Sequence, residues 1–464
     1  MPRKSCGRVC CRGLYSCHWE TKLREDHPGK HACCGFSVVL LVSLLSLCWM
    51  YICLVTFNDQ EDVNWEGFKM LKRWVNFFML GIIVSAVLTS YCVLLLLIAL
   101  FHVAIGEKLD LHWFHMIFLS LGVLFIASGL TGISLKWKQE WPTVPLSLQA
   151  TGPFLQFGAV VALTLLSPLV FRCFLRSKNA GCKVLIALVF VVISAAIFLC
   201  PLLIHSPCLL SELPEKPKLI GHRGAPMKAP ENTIMAFNRS VECGVTAFET
   251  DVQLSKDRIP FLMHDNGSDF LLRTTNVKQK FPDTHFSHSA NLTWEELQSL
   301  NAGEWFVEIL WLPPDERDAV SLAAPGFIQV YNNLKEMLNK RGTHLNMKYS
   351  KLSTEEIREL RSHNKTVNLW VVNEPWLFSL LWCAGASSVT TNSCHLLRDM
   401  ERPSWVMSPL QYRIAWTVVD AVAFLLMTAL FIVQRTTHSH SREKEKRGDN
   451  TSAWNELMPF LPTV

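Results

Sequence analysis

Charge is what this chain has little of. Only 18% of its 464 residues are Asp, Glu, Lys or Arg, against 50% apolar, and the formal net charge is just +5. That small excess comes largely from the two ends, so the electrostatic footprint of a nucleic-acid partner is missing. The scarcity is uneven. Phe36–Phe57, Val75–Phe101, Trp113–Leu135, Pro153–Phe171, Val184–Ile204 and Ile414–Val433 contain no Asp, Glu, Lys or Arg apart from Asp420. Each approaches the ~20 apolar residues that cross a bilayer. The chain is therefore expected to cross the membrane six times, with the lipid bilayer as its surroundings. Spans so poor in ionisable groups offer no ion or substrate path, which argues against a transporter. The first stretch follows a polar segment and is too long for a cleaved signal, so it is expected to stay as a signal anchor.

Orientation follows from the basic residues flanking the spans. Placing the N-terminus inside puts Arg3, Lys4, Arg8, Arg12, Lys22, Arg24 and Lys30 in the cytoplasm, with Arg172, Arg176, Lys178, Lys183 and the basic C-terminal tail. The short outer loops then hold only Lys69, Lys72, Arg73, Lys136 and Lys138. The expected domains are a cytoplasmic tail (1–35), five spans (36–205), an extracellular or lumenal segment (206–412), a sixth span (413–434) and a second cytoplasmic tail (435–464), at the plasma membrane. Asn238, Asn266, Asn291 and Asn364 each open an acceptor triplet for N-glycosylation within the outer segment.

Paired Cys-x-x-Cys knuckles with ordered histidine partners are also lacking. Cys6, Cys10, Cys11, Cys17, Cys33 and Cys34 crowd the first tail, where thiols stay reduced. S-palmitoylation next to the membrane, above all at Cys33 and Cys34, is expected there in preference to zinc. On the outer side Cys208, Cys243, Cys383 and Cys394 allow two disulfides in any of three connectivities.

After Pro217 the periodicity changes. Lys218–Gly224 (KLIGHRG), Ala247–Leu254 (AFETDVQL), Ile259–Asp265 (IPFLMHD), His344–Tyr349, Val367–Val372 and Ser388–Thr391 read as strands. Glu231–Gly244, Thr354–Asn364 and Trp376–Ala384 read as helices between them. Such alternation predicts a βαβ architecture with parallel strands. Strand alternation also predicts that Glu249 and Asp251 share one face, about 7 Å apart at ~3.3 Å per residue. Two carboxylates so placed need a cation between them. Oxygen ligands suit Ca²⁺ or Mg²⁺. His222, Arg223 and His264 stand at strand ends, where the active face of a βα-barrel forms.

The ordered string Gly221–Asn232 (GHRGAPMKAPEN), Phe248–Val252 (FETDV) and His264-Asp265 resembles the glycerophosphodiester phosphodiesterase family. The likeness continues through Leu272–Val277 (LRTTNV) and Leu292–Phe306 (LTWEELQSLNAGEWF), and six spans narrow it to the membrane branch. The resemblance implies a TIM barrel of the (β/α)8 type on a multi-span α-helical anchor. It implies one divalent ion, Ca²⁺ or Mg²⁺, on Glu249 and Asp251 with Glu231 close by. His222 and His264 would be general acid and base, Arg223 would hold the phosphate, and Trp370, in Leu369–Asn373 (LWVVN), would wall the pocket. The implied substrate is a small glycerophosphodiester such as glycerophosphoinositol. A related branch that cleaves glycosylphosphatidylinositol anchors supplies an alternative substrate class.

One part of the family pattern is missing. A complete barrel takes ~250 residues, seldom fewer than ~200, and the segment from Lys216 to Leu397 is shorter. Val307–Pro314 (VEILWLPP) resembles a late strand where the middle strands should stand, and the family's further Glu ligand and nearby Lys are not found. The sequence around Glu308 does not match that ligand motif. An internal deletion near Phe306–Ile309 and an incomplete barrel are expected. Two function classes follow: a membrane ecto-hydrolase, or a catalytically deficient membrane form acting by binding substrate, a partner or full-length copies.

The orientation is checked with epitope tags. Tags at either end should be inaccessible to antibody on intact cells, and a tag within residues 206–412 should be reached. An externally reachable N-terminal tag would overturn the assignment.

Overall fold

A computed structural model describes residues 13–17, 32–56, 58, 61–71, 75–105, 110–203, 205–264, 275, 277–282, 288–300 and 329–457. Six helices among them are long and apolar enough to cross a membrane: Gly35–Thr56, Phe77–His102, Trp113–Lys136, Lys138–Arg176, Ala180–Leu202 and Pro409–Ser439. Leucine-like surfaces gain little by meeting each other inside lipid, so small and polar side chains make the specific joints. Trp49 Nε1 donates to Ser85 Oγ at 3.0 Å, joining the first two spans. The Tyr51 hydroxyl reaches Ser147 and Thr151 on the fourth span at 2.7 and 3.0 Å. Gln156 Nε2 donates to Asp420 Oδ1 at 3.3 Å, tying the fourth span to the sixth.

Between the fifth and sixth spans lies a sheet of six parallel strands. They are β1 (Lys218–His222), β2 (Ala247–Glu249), β5 (Val330–Tyr331), β6 (His344–Lys348), β7 (Thr366–Trp370) and β8 (Ser388–Thr391), in spatial order β2-β1-β8-β7-β6-β5. Pairing of the first strand with the last (Lys218 with Ser388, Gly221 with Thr391) is the closure step of a barrel. Among the described residues β2 and β5 pair on one side only, so the sheet is a curled half-barrel, as an incomplete (β/α)8 fold requires.

The core is built from the alternating apolar positions of β6 and β7, where Leu345, Val367 and Leu369 are buried. Helices Thr354–Ser362 and Pro375–Ala384 cover it. The first starts with a reciprocal capping box between Ser353 and Glu356. The second ends at Gly385, whose φ of 86° is a left-handed conformation that favours glycine. That second helix is apolar nearly all round, and its outer side packs on the fourth span. Leu146 of the same span joins the core, so the segment between the fifth and sixth spans rests directly on the bundle.

Two sequence expectations fail here. The stretch Ala247–Leu254 is not one strand: β2 ends at Glu249, and β3 (Val252–Leu254) turns away to pair antiparallel with β4 (Pro260–Leu262). The carboxylates of Glu249 and Asp251 therefore do not stand on one face of a continuous strand. Within Ile259–His264, β4 (Pro260–Leu262) is accordingly a hairpin arm rather than a barrel strand, and Asp265 lies outside the described residues. Alternation misled because a half-buried hairpin and a barrel strand share the same period. Val307–Pro314, Glu308 and the region of the expected deletion lie outside the described residues.

Of the three disulfide connectivities, the structure contains a Cys208–Cys383 bond, with Cα atoms 5.0 Å apart. Cys243 and Cys394 are buried free thiols in one cluster with Ala225. Peptide mapping without reduction should recover the Cys208–Cys383 cross-link, and Cys208→Ser should lower stability by roughly 2–4 kcal/mol. A link from Cys208 to Cys243 or Cys394 would refute the pairing.

Candidate active site

The carboxyl ends of parallel strands carry their polar residues outward, and here they gather on one edge. His222 ends β1 and Glu249 ends β2, paired across the ladder. Arg223 follows with φ 52°, a turn that points its backbone N–H at Glu249 Oε2, 3.3 Å away. Gly224 completes the turn with φ 89°. A Cβ there would stand 2.7 Å from the backbone and side chain of Ala236, so only glycine fits. The Arg223 carbonyl then accepts from Asn232 N at 2.9 Å, closing the loop that carries Glu231.

The Arg223 guanidinium lies among three carboxylates. Its Nη1 donates to both oxygens of Glu231 at 3.3 and 3.2 Å. Its Nε lies 3.1 Å from Asp251 Oδ2 as an ion pair, without the alignment of a hydrogen bond. Side chains of Arg223, Glu231 and Asp251 are only 12%, 17% and 22% exposed, which makes their mutual neutralisation necessary. Glu249 is less favoured. Burial and the neighbouring Asp251 push its carboxyl up to about 7.

His222 is held from the other side. Its Nδ1 is 2.6 Å from Asn392 Oδ1 in the loop after β8, and its Nε2 is 3.9 Å from Glu249 Oε2. Burial and the Arg223 charge push the imidazole down to about 4, so at neutral pH it is uncharged. With Asn392 Oδ1 as acceptor, the proton sits on Nδ1 and Nε2 keeps its lone pair. His264 is exposed beyond β4, near enough to act on the His222 charge. Trp370 ends β7 and pairs with Lys348 at the end of β6.

The profile of the glycerophosphoryl diester phosphodiesterase family matches residues 222–310, and a second profile of that family matches residues 366–393. The glycerophosphoinositol inositolphosphodiesterase of Mus musculus is 38% identical, the likeness covering 92% of this chain and 93% of the mouse protein. The chain belongs to the glycerophosphodiester phosphodiesterase family. A Gallus gallus relative, glycerophosphodiester phosphodiesterase domain-containing protein 5, is 34% identical over 92% of this chain and 84% of its own length. A glycerophosphodiester phosphodiesterase structure from Agrobacterium tumefaciens aligns with 40% of this chain and all of its own, at 15% identity and a TM-score of 0.33. The mouse alignment runs to 503 positions, whereas 92% of 464 residues is about 427, so it opens gaps of roughly 76 positions in this chain.

Enzymes of this family generally depend on a divalent metal. The donors here have the right chemistry, being hard oxygens. Their arrangement is another matter: among the described residues no three His, Cys, Asp or Glu side chains gather closely enough to hold an ion. Glu231 and Asp251 are instead engaged by Arg223. As placed, these residues do not fit a metal centre.

Several residues at the edge were not singled out from sequence. Asn392 orients His222, while Asn232, with φ 56°, reaches Asp251 at 3.5 Å and accepts from Thr250 Oγ1 at 2.9 Å. Lys348 also lies at this edge. Asn232 stood inside a quoted motif, which was a usable signal. Asn392 and Lys348 had none, because a single polar residue at a strand end is ordinary. Asp265 and Asn266 lie outside the described residues, whereas Asn238, Asn291 and Asn364 are exposed.

Removing the shared cation should be costly. Arg223→Met is expected to destabilise the chain by about 3 kcal/mol, the scale of a buried ion pair left half-made. Adding Glu231→Gln should restore part of that loss. Thermal unfolding of the purified protein checks both, and an Arg223→Met variant as stable as its parent would show that the carboxylates are neutralised by other means.

Proposed function

We propose that this chain is a plasma-membrane glycerophosphodiester hydrolase of the inositolphosphodiesterase kind, with its catalytic segment outside the cell and its turnover strongly reduced by an incomplete metal site. The observation that carries the second half is the Arg223 guanidinium clasped by Glu231 and Asp251 in an open half-barrel. The gaps opened in this chain by its mouse relative support an internal deletion, and the family pattern breaks near Phe306–Ile309.

The chemistry retained is acid/base and phosphate recognition. A hydroxyl of the inositol ring beside the phosphate attacks phosphorus, and its proton passes to the lone pair on His222 Nε2. The bond from phosphorus to the glycerol oxygen breaks, and His264 supplies the proton that releases glycerol. Water then opens the cyclic inositol phosphate. Arg223, with Lys348 beyond it, offsets charge building on the phosphoryl oxygens, and Trp370 walls the pocket.

Charge stabilisation is the deficient element. Three carboxylates around one arginine leave the edge without the excess positive potential that a phosphoryl transition state requires. A binding role follows as the second reading, favoured by the same clasp: the recognition groups persist without the ion. The residual diesterase rate is expected to be at least ~100-fold below that of a relative with a complete barrel, the scale of lost electrostatic stabilisation. The measurement is release of inositol phosphate from glycerophosphoinositol by purified full-length proteins at saturating Ca²⁺ or Mg²⁺. Equal specific activity would refute the deficiency, and binding of substrate without turnover would favour the second reading.

A further inference from the structure

Asn58 stands two residues beyond the outer end of the first membrane helix, Ala32–Thr56, yet it is only 5% exposed. It is buried because it is bonded to the catalytic segment. Its Nδ2 donates to the Val371 carbonyl at 2.6 Å, and its Oδ1 accepts from Asn373 N at 2.9 Å. Asn373 answers by donating its Nδ2 to the Asn58 carbonyl at 3.0 Å. The pair is thus a two-way amide clasp between the bundle and the loop leaving β7.

The clasp does not end at Asn373. The Asn373 Oδ1 accepts from Asn392 N at 2.9 Å and from Thr391 Oγ1 at 3.5 Å, so it fixes the loop leaving β8. Asn392 is the residue whose Oδ1 lies 2.6 Å from His222 Nδ1. Asn373 and Asn392 are 7% and 8% exposed, so water does not readily substitute for these bonds. The links from Asn58 through Asn373 and Asn392 to His222 are no longer than 3.0 Å. A shift of Asn58 therefore moves the loop that sets the ring orientation and tautomer of His222.

We propose that Asn58, just beyond the first membrane helix, is a positioning residue of the catalytic edge, acting through Asn373 and Asn392 on His222. The bundle is then part of the active-site scaffold as well as an anchor. The inference rests on the assignment of His222 as the proton acceptor, but its geometry is testable apart from turnover.

The experiment uses the full-length chain in lipid nanodiscs and has two readouts. The first is the rate at which diethyl pyrocarbonate modifies His222, followed by peptide mass spectrometry. Asn392→Ala, which frees the ring directly, sets the reference change. Asn58→Ala should reproduce a rise of roughly fivefold, the size of one lost hydrogen bond. Asn58→Asp keeps the acceptor for Asn373 N but loses the donor to Val371, and should fall between the parent and Asn58→Ala. The second readout is kcat and KM for glycerophosphoinositol. Asn58→Ala should lower kcat about 10-fold with KM within about twofold, as for a displaced catalytic group.

An unchanged His222 modification rate in Asn58→Ala would overturn the proposal, whatever the turnover. A raised rate in a chain without measurable turnover would uphold the positioning and defeat the hydrolase assignment. Because loss of fold would expose every histidine, the buried Cys243 and Cys394 serve as the reference. Raised His222 reactivity supports the proposal only while those thiols stay unreactive, and a rise in both assigns Asn58 to general stability and overturns it.

Discussion

Three carboxylates and one guanidinium set the character of the catalytic edge. Glu231, Glu249 and Asp251 are too close and too shielded from water to coexist as anions without a cation between them. The nearest permanent one is Arg223, brought there by a left-handed turn and the glycine that follows it. That placement adds to the burial that depresses the imidazole of His222, counters the burial and Asp251 charge that raise the carboxyl of Glu249, and sets up the loop closed by Asn232. A divalent ion would solve the same electrostatic problem differently, releasing the guanidinium toward a phosphate. In this chain the guanidinium is engaged by Glu231 and Asp251.

The open sheet bears on the same point. In a closed parallel barrel each strand end is fixed by neighbours on both sides, and small displacements of catalytic groups are suppressed. Here β1 and β8 are interior and well held, and they carry His222 and Asn392. Glu249 ends the outer strand β2, and the chain leaves the sheet straight after it. His222 and Asn392 are thus better supported than Glu249.

Much of this was legible in the residues. Charge-free stretches marked six spans, because removing backbone and side-chain charge from water leaves a bilayer few alternatives. Most strands and helices of the catalytic segment were visible from period and capping, with Ser388–Thr391 found to the residue. His222, Arg223 and Glu249, which lie together at one edge of the sheet, stood out because they occur as an ordered string. What was not legible depends on contacts distant in sequence. The break after Glu249 is set by where the hairpin packs, Cys208 finds Cys383 only once the sheet is assembled, and Asn58 is an unremarkable loop residue until the loop leaving β7 lies against it.

The two ends of the catalytic segment meet at the membrane. Leu210 N donates to the Met407 carbonyl at 3.0 Å, and Met407 N to the Cys208 carbonyl at 3.1 Å, so the chain enters and leaves side by side. A segment inserted between adjoining points behaves as a cassette. Its length can change without altering the spacing of the fifth and sixth spans that bracket it. The bundle is therefore indifferent to how many barrel strands the insert contains, and a shortened catalytic half can be carried on an intact membrane half.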